Sequence, residues 1–211
     1  MDWILLLVVV LAVIAVGVWM FMKDKKEKDE AIPAEQRKAL AAPVGRTHEQ
    51  GRVIRRLKGF AGDNGYEVIV PGRICQGAGV TDFDAIVVGS FGVLAVTSLG
   101  YPGKVYGNEK EKLWTQTTNR GRVAFENPLT VQAAQARMLR EVLFANRLRS
   151  VPVETMCVFP NSGTELLVPR STPILRMKEF SAMLRKDHFT DDKKVDIDAV
   201  AKALRAAAEK K

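Results

Sequence analysis

The fold of this chain is decided by residues Thr81–Gly107, which read TDFDAIVVGSFGVLAVTSLGYPGKVYG. The alternation of side chains from Phe83 to Val88 is typical of a β-strand with one or both faces buried. Val93–Val96 is an unbroken apolar run, as expected for a strand covered on both faces. Gly89–Gly92 lies between the two strands and fits a hairpin turn, because glycine accepts the positive φ that such turns need.

The turn also predicts the register of this hairpin. With Ser90 and Phe91 as a two-residue loop, counting outward places Asp84 opposite Thr97, and Leu99 lies on the same face as Thr97. An acid that faces two residues spaced i, i+2 on the next strand is a geometry suited to a metal site. Thr97 and Leu99 do not supply the charges that such a site needs, and this mismatch shapes the functional hypothesis below.

An apolar segment at the N-terminus, Trp3–Met22, has no charged residue over 20 positions. At 1.5 Å rise per residue this length spans the roughly 30 Å hydrocarbon core of a bilayer, which predicts a transmembrane helix over residues 1–22. A cleavable signal peptide fits less well, because it needs a basic start, a shorter apolar core and a small-residue cleavage site. A buried core helix is the other alternative, but few core helices are apolar on every side.

The orientation of this span follows from the basic residues beside it, because lysine and arginine concentrate on the cytoplasmic side. They are Lys23, Lys25, Lys26 and Lys28, and none precedes the span. The sequence therefore predicts a single-pass membrane protein with its N-terminus outside and its C-terminal domain in the cytoplasm. Residues 23–44 are rich in charge and lack aromatic residues, which favours a solvated linker over a short helix starting at Pro33.

The rest of the chain alternates predicted helices and strands around the hairpin, an order typical of an α/β domain with a mixed sheet. A first helix is predicted over Gly45–Phe60 and a first strand over Tyr66–Val70, which ends at Pro71-Gly72. Later elements are a helix over Leu129–Arg149, a strand over Val151–Phe159, short strands over Leu166–Val168 and Thr172–Leu175, and closing helices over Lys178–Leu184 and Asp198–Ala208.

Short motifs follow one another in a fixed order along the middle of the chain. They are Glu49 near the start of the first helix, Asp84-Ala-Ile-Val-Val, Gly92-Val-Leu-Ala-Val, Gly103-Lys-Val-Tyr-Gly107, Trp114, Asn127-Pro-Leu with Gln132 nearby, and a Val-Pro-Val strand. In this order they resemble the nuclease-related domain (NERD), a family related to the restriction-endonuclease-like nucleases with a D…(D/E)xK site. The resemblance implies a restriction-endonuclease-like mixed β-sheet flanked by helices, here preceded by one transmembrane helix. It divides the chain into a NERD-like domain over 45–160 and an extension over 161–211 whose short helices pack on it.

The family pattern also implies a glutamate at position 97 and a lysine at position 99. In such nucleases two acids hold Mg²⁺, which helps to produce a hydroxide nucleophile, and the lysine stabilises charge. This chain has Thr97 and Leu99, so Asp84 and Glu49 are the residual candidates and no metal ligand set is predicted. Asp82 is a candidate for an added carboxylate on the strand face of Asp84, and Lys104 is a candidate for a displaced lysine.

Basic residues outnumber acidic ones between Gly45 and Ser150. One set, predicted to face outward from the first helix, is Arg52, Arg55, Arg56 and Lys58; a second is Arg137, Arg140, Arg147 and Arg149. Such sets attract nucleic acid through counterion release, and they also attract anionic lipid beside a cytoplasmic leaflet. A solvated face that only keeps the protein soluble is the third interpretation, and the sequence leaves all three open.

Other enzyme classes are disfavoured, because His48 and His188 are the two histidines and no serine or cysteine stands in a nucleophile motif. The sequence therefore favours a membrane-anchored, catalytically inactive nuclease-related domain, a pseudoenzyme. It would act in binding or scaffolding of nucleic acid or of a membrane-associated assembly, without a cofactor. The alternative is a DNA- or RNA-cleaving nuclease that uses Mg²⁺ in a rearranged site.

Overall fold

A computed structural model describes residues 46–77 and 79–209 of the chain. In this part the helices are α1 (Arg46–Asn64), α2 (Pro128–Ala145), α3 (Met177–Met183) and α4 (Ile197–Glu209), with a 3₁₀ turn at Asp187–Phe189. The strands are β1 (Glu67–Ile69), β2 (Gly72–Gln76), β3 (Gly79–Phe83), β4 (Ala85–Gly89), β5 (Gly92–Ser98), β6 (Gly103–Tyr106), β7 (Leu113–Thr118), β8 (Gly121–Glu126), β9 (Val153–Phe159), β10 (Thr164–Leu167) and β11 (Ile174–Arg176).

The predicted hairpin lies at the centre of the molecule. Strand β4 pairs antiparallel with β5, and Gly89 lies opposite Gly92, as the two-residue turn predicted. Gly92 has φ of 124°, and a side chain there would collide with the carbonyl oxygen of Pro152. That carbonyl accepts a 2.9 Å hydrogen bond from the backbone N–H of Val93, so the close approach joins the hairpin to the next strand of the sheet.

The central sheet has five strands in the order β1-β4-β5-β9-β11. β4 runs antiparallel to both β1 and β5, whereas β9 lies parallel to both β5 and β11. A parallel pair cannot be joined by a tight turn, and here the connection from β5 to β9 contains β6, β7, β8 and α2. The prediction of an α/β domain with a mixed sheet is confirmed.

Helices cover both faces of this sheet, which explains why β4 is buried along its whole length. On one face α2 and α4 contribute Leu139, Leu143 and Leu204 to a cluster with residues of β4 and β5. On the other face α1 and α3 contribute Val53 and Phe180 to a second cluster. The domain therefore has three layers, with the central sheet between two layers of helices.

A second sheet has four strands in the order β10-β6-β7-β8; β6, β7 and β8 follow β5 in the chain, and β10 follows β9. Its buried side carries Trp114 and Phe125, which form a third apolar cluster with Cys157 and Phe159 of β9.

Strands β2 and β3 form a separate two-stranded ribbon. The sequence analysis placed no strand between Gly72 and Val80, so the ribbon is an addition that the structure makes.

The long helix α2 has a distinct signal at each end. The side chain of Asn127 caps its first turn by accepting a 2.9 Å hydrogen bond from the N–H of Leu129, and Pro128 follows at the first helical position. The helix ends at Ala145, before the predicted Arg149, because Arg147 has φ of 63°. The N–H of Leu148 then bonds back to the carbonyl of Leu143 at 2.9 Å, a common helix termination.

Within residues 46–77 and 79–209, no helix combines the length and the apolar character needed to cross a bilayer. The predicted transmembrane helix over 1–22 and the charged linker over 23–44 lie outside the described residues. Those two interpretations stay predictions.

Candidate functional site

Asp84 lies in the bend between β3 and β4, just beyond the hairpin ladder, which ends at the pair Ala85 and Val96. Its backbone N–H donates a 2.8 Å hydrogen bond to the carbonyl of Val96. The side chain is only 2% exposed. A carboxylate this deeply buried needs partners, because an unpaired charge in a protein interior is strongly unfavourable.

Two short hydrogen bonds supply these partners. The amide nitrogen of Gln50, near the start of α1, donates to one carboxylate oxygen of Asp84 at 2.6 Å. The backbone N–H of Ser98, at the end of β5, donates to the other oxygen, also at 2.6 Å. Hydrogen bonds to ionised groups are the stronger ones in proteins, so Asp84 joins α1 to the end of the hairpin.

The two positions at which the family pattern implies charged residues carry none here. Thr97 pairs with Cys157 of β9, and its hydroxyl lies 3.5 Å from the side-chain amide of Gln135 on α2. Leu99 packs against the apolar cluster of the second sheet and donates its N–H to the carbonyl of Val158 at 2.9 Å. Position 97 thus offers a neutral hydroxyl and position 99 an apolar side chain.

Glu49 lies in the first turn of α1, beside Gln50 but with a different environment. Its oxygen Oε2 is buried and has no hydrogen bond to any of the residues that the structure describes. Burial raises the pKa of Glu49, and the positive charge of Arg52, followed by that of His48, opposes this shift.

The residue of α1 that contacts Asp84 is Gln50, which the sequence analysis missed. A single sequence offers no signal for such a contact between distant segments.

The thiol of Cys157 completes the buried surroundings of Asp84. It is 2% exposed, and burial raises its pKa far above the usual range, with the negative charge of Asp84 adding to the effect. A thiol with a raised pKa stays protonated at neutral pH and is neither a nucleophile nor a ready metal ligand. Cys157 is therefore a structural residue of this site.

Two residues considered as replacements for the missing charges lie elsewhere. Asp82 belongs to β3 in the two-stranded ribbon, where its exposed carboxylate pairs with Arg73 at 3.3 Å, so it does not share a strand face with Asp84. Lys104 belongs to the second sheet and lies 3.9 Å from Glu165. The interpretation of Asp82 as an added carboxylate is wrong, because a bend separates β3 from β4.

The donor set around Asp84 does not fit Mg²⁺. Mg²⁺ loses its waters reluctantly and is usually held by one or two carboxylates together with substrate phosphates. Here one carboxylate accepts two 2.6 Å hydrogen bonds, and its neighbours are a hydroxyl, an amide and a protonated thiol. Among the described residues, no group of three or more His, Cys, Asp or Glu side chains is arranged to hold a metal ion.

The basic residues predicted to face outward from α1 divide into two pairs. Arg55 and Lys58 are exposed. Arg52 and Arg56 are half-buried, and their guanidinium groups donate to the carbonyls of Pro160 at 3.1 Å and Ser181 at 3.5 Å. The prediction that all four face solvent is therefore wrong for this second pair, because both guanidinium groups bond to backbone carbonyls of later segments.

Comparison with known proteins gives one family and one relative that is similar over a short segment. The family model for the nuclease-related domain matches residues 45–160. An uncharacterized protein of Bacillus anthracis is 42% identical over 48 residues, which cover 23% of this chain and 23% of that protein. No solved structure gives a significant match to the chain.

Proposed function

The chain belongs to the nuclease-related domain family, and from that membership we propose that it is a membrane-anchored member that binds its partner without cleaving it. The partner would be nucleic acid or a membrane-associated assembly. One observation carries the inactive assignment: both oxygens of Asp84 accept short hydrogen bonds from within the protein, at 2.6 Å each. In this proposal the family aspartate is a structural residue.

The neighbouring positions support the same proposal. The mixed five-stranded sheet between helices supports a restriction-endonuclease-like arrangement. A catalytic site of that kind would need an acid at position 97 and an ammonium group at position 99. Thr97 and Leu99 provide neither. Leu99 instead packs into an apolar cluster, where a lysine would pay a desolvation penalty.

The anchor is the second part of the proposal. It rests on the uncharged segment Trp3–Met22 and on the lysines that follow it, which favour a cytoplasmic location for the nuclease-related domain. Fractionation of cell extracts tests it directly: the full chain should remain with membranes after an alkaline carbonate wash and should be released when residues 1–22 are deleted.

A rearranged metal-dependent nuclease is the second candidate function, and one observation favours it. Glu49 has a buried oxygen that receives no hydrogen bond from residues 46–77 or 79–209, and it lies one position from the residue that contacts Asp84. A shift of α1 that brought the two carboxylates together would assemble a pair able to hold a divalent cation.

The purified full chain is expected to show no Mg²⁺- or Mn²⁺-dependent cleavage of plasmid, linear duplex or single-stranded substrates. Losing one electrostatic contact in a transition state typically costs about 10²–10³ in rate, and here two such groups are replaced. The measurement is product formation on gels over hours at high enzyme concentration. Asp84→Asn and Glu49→Gln serve as controls. Cleavage by the parent that both variants abolish would favour the rearranged nuclease, and cleavage that survives both would indicate a contaminant.

The exposed pair Arg55 and Lys58 is expected to contact phosphates if the partner is nucleic acid. Arg55→Gln with Lys58→Gln should weaken duplex binding equally across sequences. The slope of log K against log salt should fall by about 0.9 per lost contact. Fluorescence anisotropy of a labelled duplex over a salt series measures both quantities. The control variant is Lys110→Gln with Lys202→Gln, which removes the same charge from exposed positions elsewhere. It should leave the salt slope almost unchanged. Equal effects of the two pairs on the slope would contradict a site on α1.

A further inference from the structure

The outer side of α2 carries basic residues around an exposed aromatic ring. Arg137, Arg140 and Phe144 are spaced i, i+3 and i+7, so they project from the same side of the helix. The two arginines are exposed, and Phe144 is 57% exposed, the largest exposed fraction among the large apolar side chains of the described residues. We call these three residues, together with Arg149, the α2 face.

Arg149 joins this face although it lies beyond the end of the helix. The left-handed conformation of Arg147 turns the chain back after α2. The guanidinium carbon of Arg149 then lies 3.9 Å from the centre of the Phe144 ring, a cation–π contact. The exposed ring is thus held beside a positive charge, and Glu141 is the one acid on this part of the helix.

We infer that the α2 face binds anionic phospholipid headgroups of the membrane to which the chain is anchored, with Phe144 entering the interfacial layer. This inference rests on the proposed anchor. Guanidinium groups bind phosphate in a bidentate manner, and each basic residue near an anionic surface strengthens binding by about fivefold. An aromatic side chain with an apolar body is suited to the boundary between headgroups and acyl chains.

The charge and reach of the chain support this occupant. Residues 45–211 contain 26 lysines and arginines against 18 acids, so the whole formal net charge of +8 lies in the domain. Residues 23–44 span at most about 75 Å even when fully extended. The domain therefore stays near the bilayer, and docking of its α2 face is an intramolecular step that needs little intrinsic affinity.

The same contacts are less suited to nucleic acid. Binding sites for single strands present several aromatic rings with free faces on which successive bases stack. The α2 face has one ring, and the guanidinium of Arg149 covers one side of it. Insertion of a ring edge between lipid headgroups needs no free ring face, so an anionic bilayer matches the observed geometry better.

Photocrosslinking tests the inference with the full chain reconstituted into bilayers. The bilayers contain phosphatidylcholine alone or with 30% phosphatidylserine. The first kind carries a trace of photoactivatable phosphatidylcholine, and the second kind carries a trace of photoactivatable phosphatidylserine. After irradiation and proteolysis, mass spectrometry measures label on the peptide containing Phe144 and on the peptide containing residues 3–22. We expect the phosphatidylserine probe to label the Phe144 peptide at least fivefold more than the phosphatidylcholine probe.

Three variants separate the α2 face from bulk charge. The first variant replaces the three arginines of the α2 face by glutamine: Arg137→Gln with Arg140→Gln and Arg149→Gln. It should lower the phosphatidylserine label on the Phe144 peptide at least fivefold. The second variant replaces the same three residues by lysine and should retain most of the label. Lys112→Gln with Arg120→Gln and Arg122→Gln removes three charges from exposed positions on the second sheet and should leave the label unchanged. Thermal unfolding of each variant checks that the fold is intact.

The outcomes separate the inference from the proposal on which it rests. Label on residues 3–22 without preferential phosphatidylserine label at Phe144 would overturn the α2 inference and leave the anchor in place. Absence of label on residues 3–22 would overturn the anchor itself, and with it the inference. A third outcome is that the chain binds duplex DNA at low salt, that the glutamine variant does not, and that added DNA removes the lipid label. This outcome would assign the face to nucleic acid and overturn the lipid inference.

Discussion

A chain that ends at Pro160 is expected to be unfolded, although it contains all the residues that match the family. The segment beyond this point contributes to both faces of the central sheet. On one face α4 contributes Val200 and Leu204, and on the other α3 and the 3₁₀ turn contribute Phe180 and Phe189, all four fully buried.

The expected loss is comparable with the whole stability of a typical domain. Burial of a large apolar side chain contributes about 1.5–3 kcal/mol, and the truncation removes at least five such side chains. Leu184 is the fifth, at 1% exposed. The total is comparable with the 5–15 kcal/mol by which native domains are stable. The free energy of unfolding of the truncated chain should therefore be near zero or negative.

Full-length and truncated chains, compared in the same detergent, provide the measurement. Near-ultraviolet circular dichroism and limited proteolysis should show a cooperative unfolding transition for the first and none for the second. A truncation after Ala208, which keeps the buried residues of α4, is the matched control. A cooperative transition in the chain ending at Pro160 would contradict the packing described for α3 and α4.

Asp84→Ala is expected to lower the free energy of unfolding by about 3 kcal/mol. The substitution removes the acceptor of two charge-assisted hydrogen bonds and leaves the N–H of Ser98 buried without a partner. It also frees Gln50, and with it the start of α1, from the end of the hairpin.

Asp84→Asn separates this structural role from a catalytic one. An asparagine at position 84 can accept from the N–H of Ser98 through its oxygen. It can donate to Gln50 once the Gln50 amide has flipped, because that amide offers an oxygen as well as a nitrogen. The asparagine variant should therefore lose about 1 kcal/mol, through the missing charge alone. Urea unfolding measures both variants, and equal losses for alanine and asparagine would contradict the hydrogen-bonding argument.

Local patterns predicted the centre of the fold. The glycines at the turn were enough to pair Gly89 with Gly92, and helical spacing predicted α1 and α2. The four-stranded sheet was not predicted, because its parallel pair joins β6 to β10, whose residues lie about sixty positions apart. No local periodicity records such a pairing.

The candidate site shows the same limit. The sequence analysis identified Asp84 as a candidate site residue from its position before an apolar strand and from the family resemblance. That resemblance is confirmed. Gln50 was missed, because its contact with Asp84 spans 34 positions and depends on how α1 crosses the end of the sheet. The inward contacts of Arg52 and Arg56 were missed for a related reason: their partners are backbone carbonyls, which every residue carries.

The placement of α4 has a consequence for how the protein is made. Helix α4 covers the face formed by β1, β2 and β4, yet it begins 99 positions after the end of β5. At a synthesis rate of about 5–20 residues per second, this separation corresponds to roughly 5–20 s. During that interval the hairpin face that carries Ile86 and Val88 lacks its last covering helix. Nascent chains of this protein should therefore depend on protection by chaperones until their final residues have been synthesised.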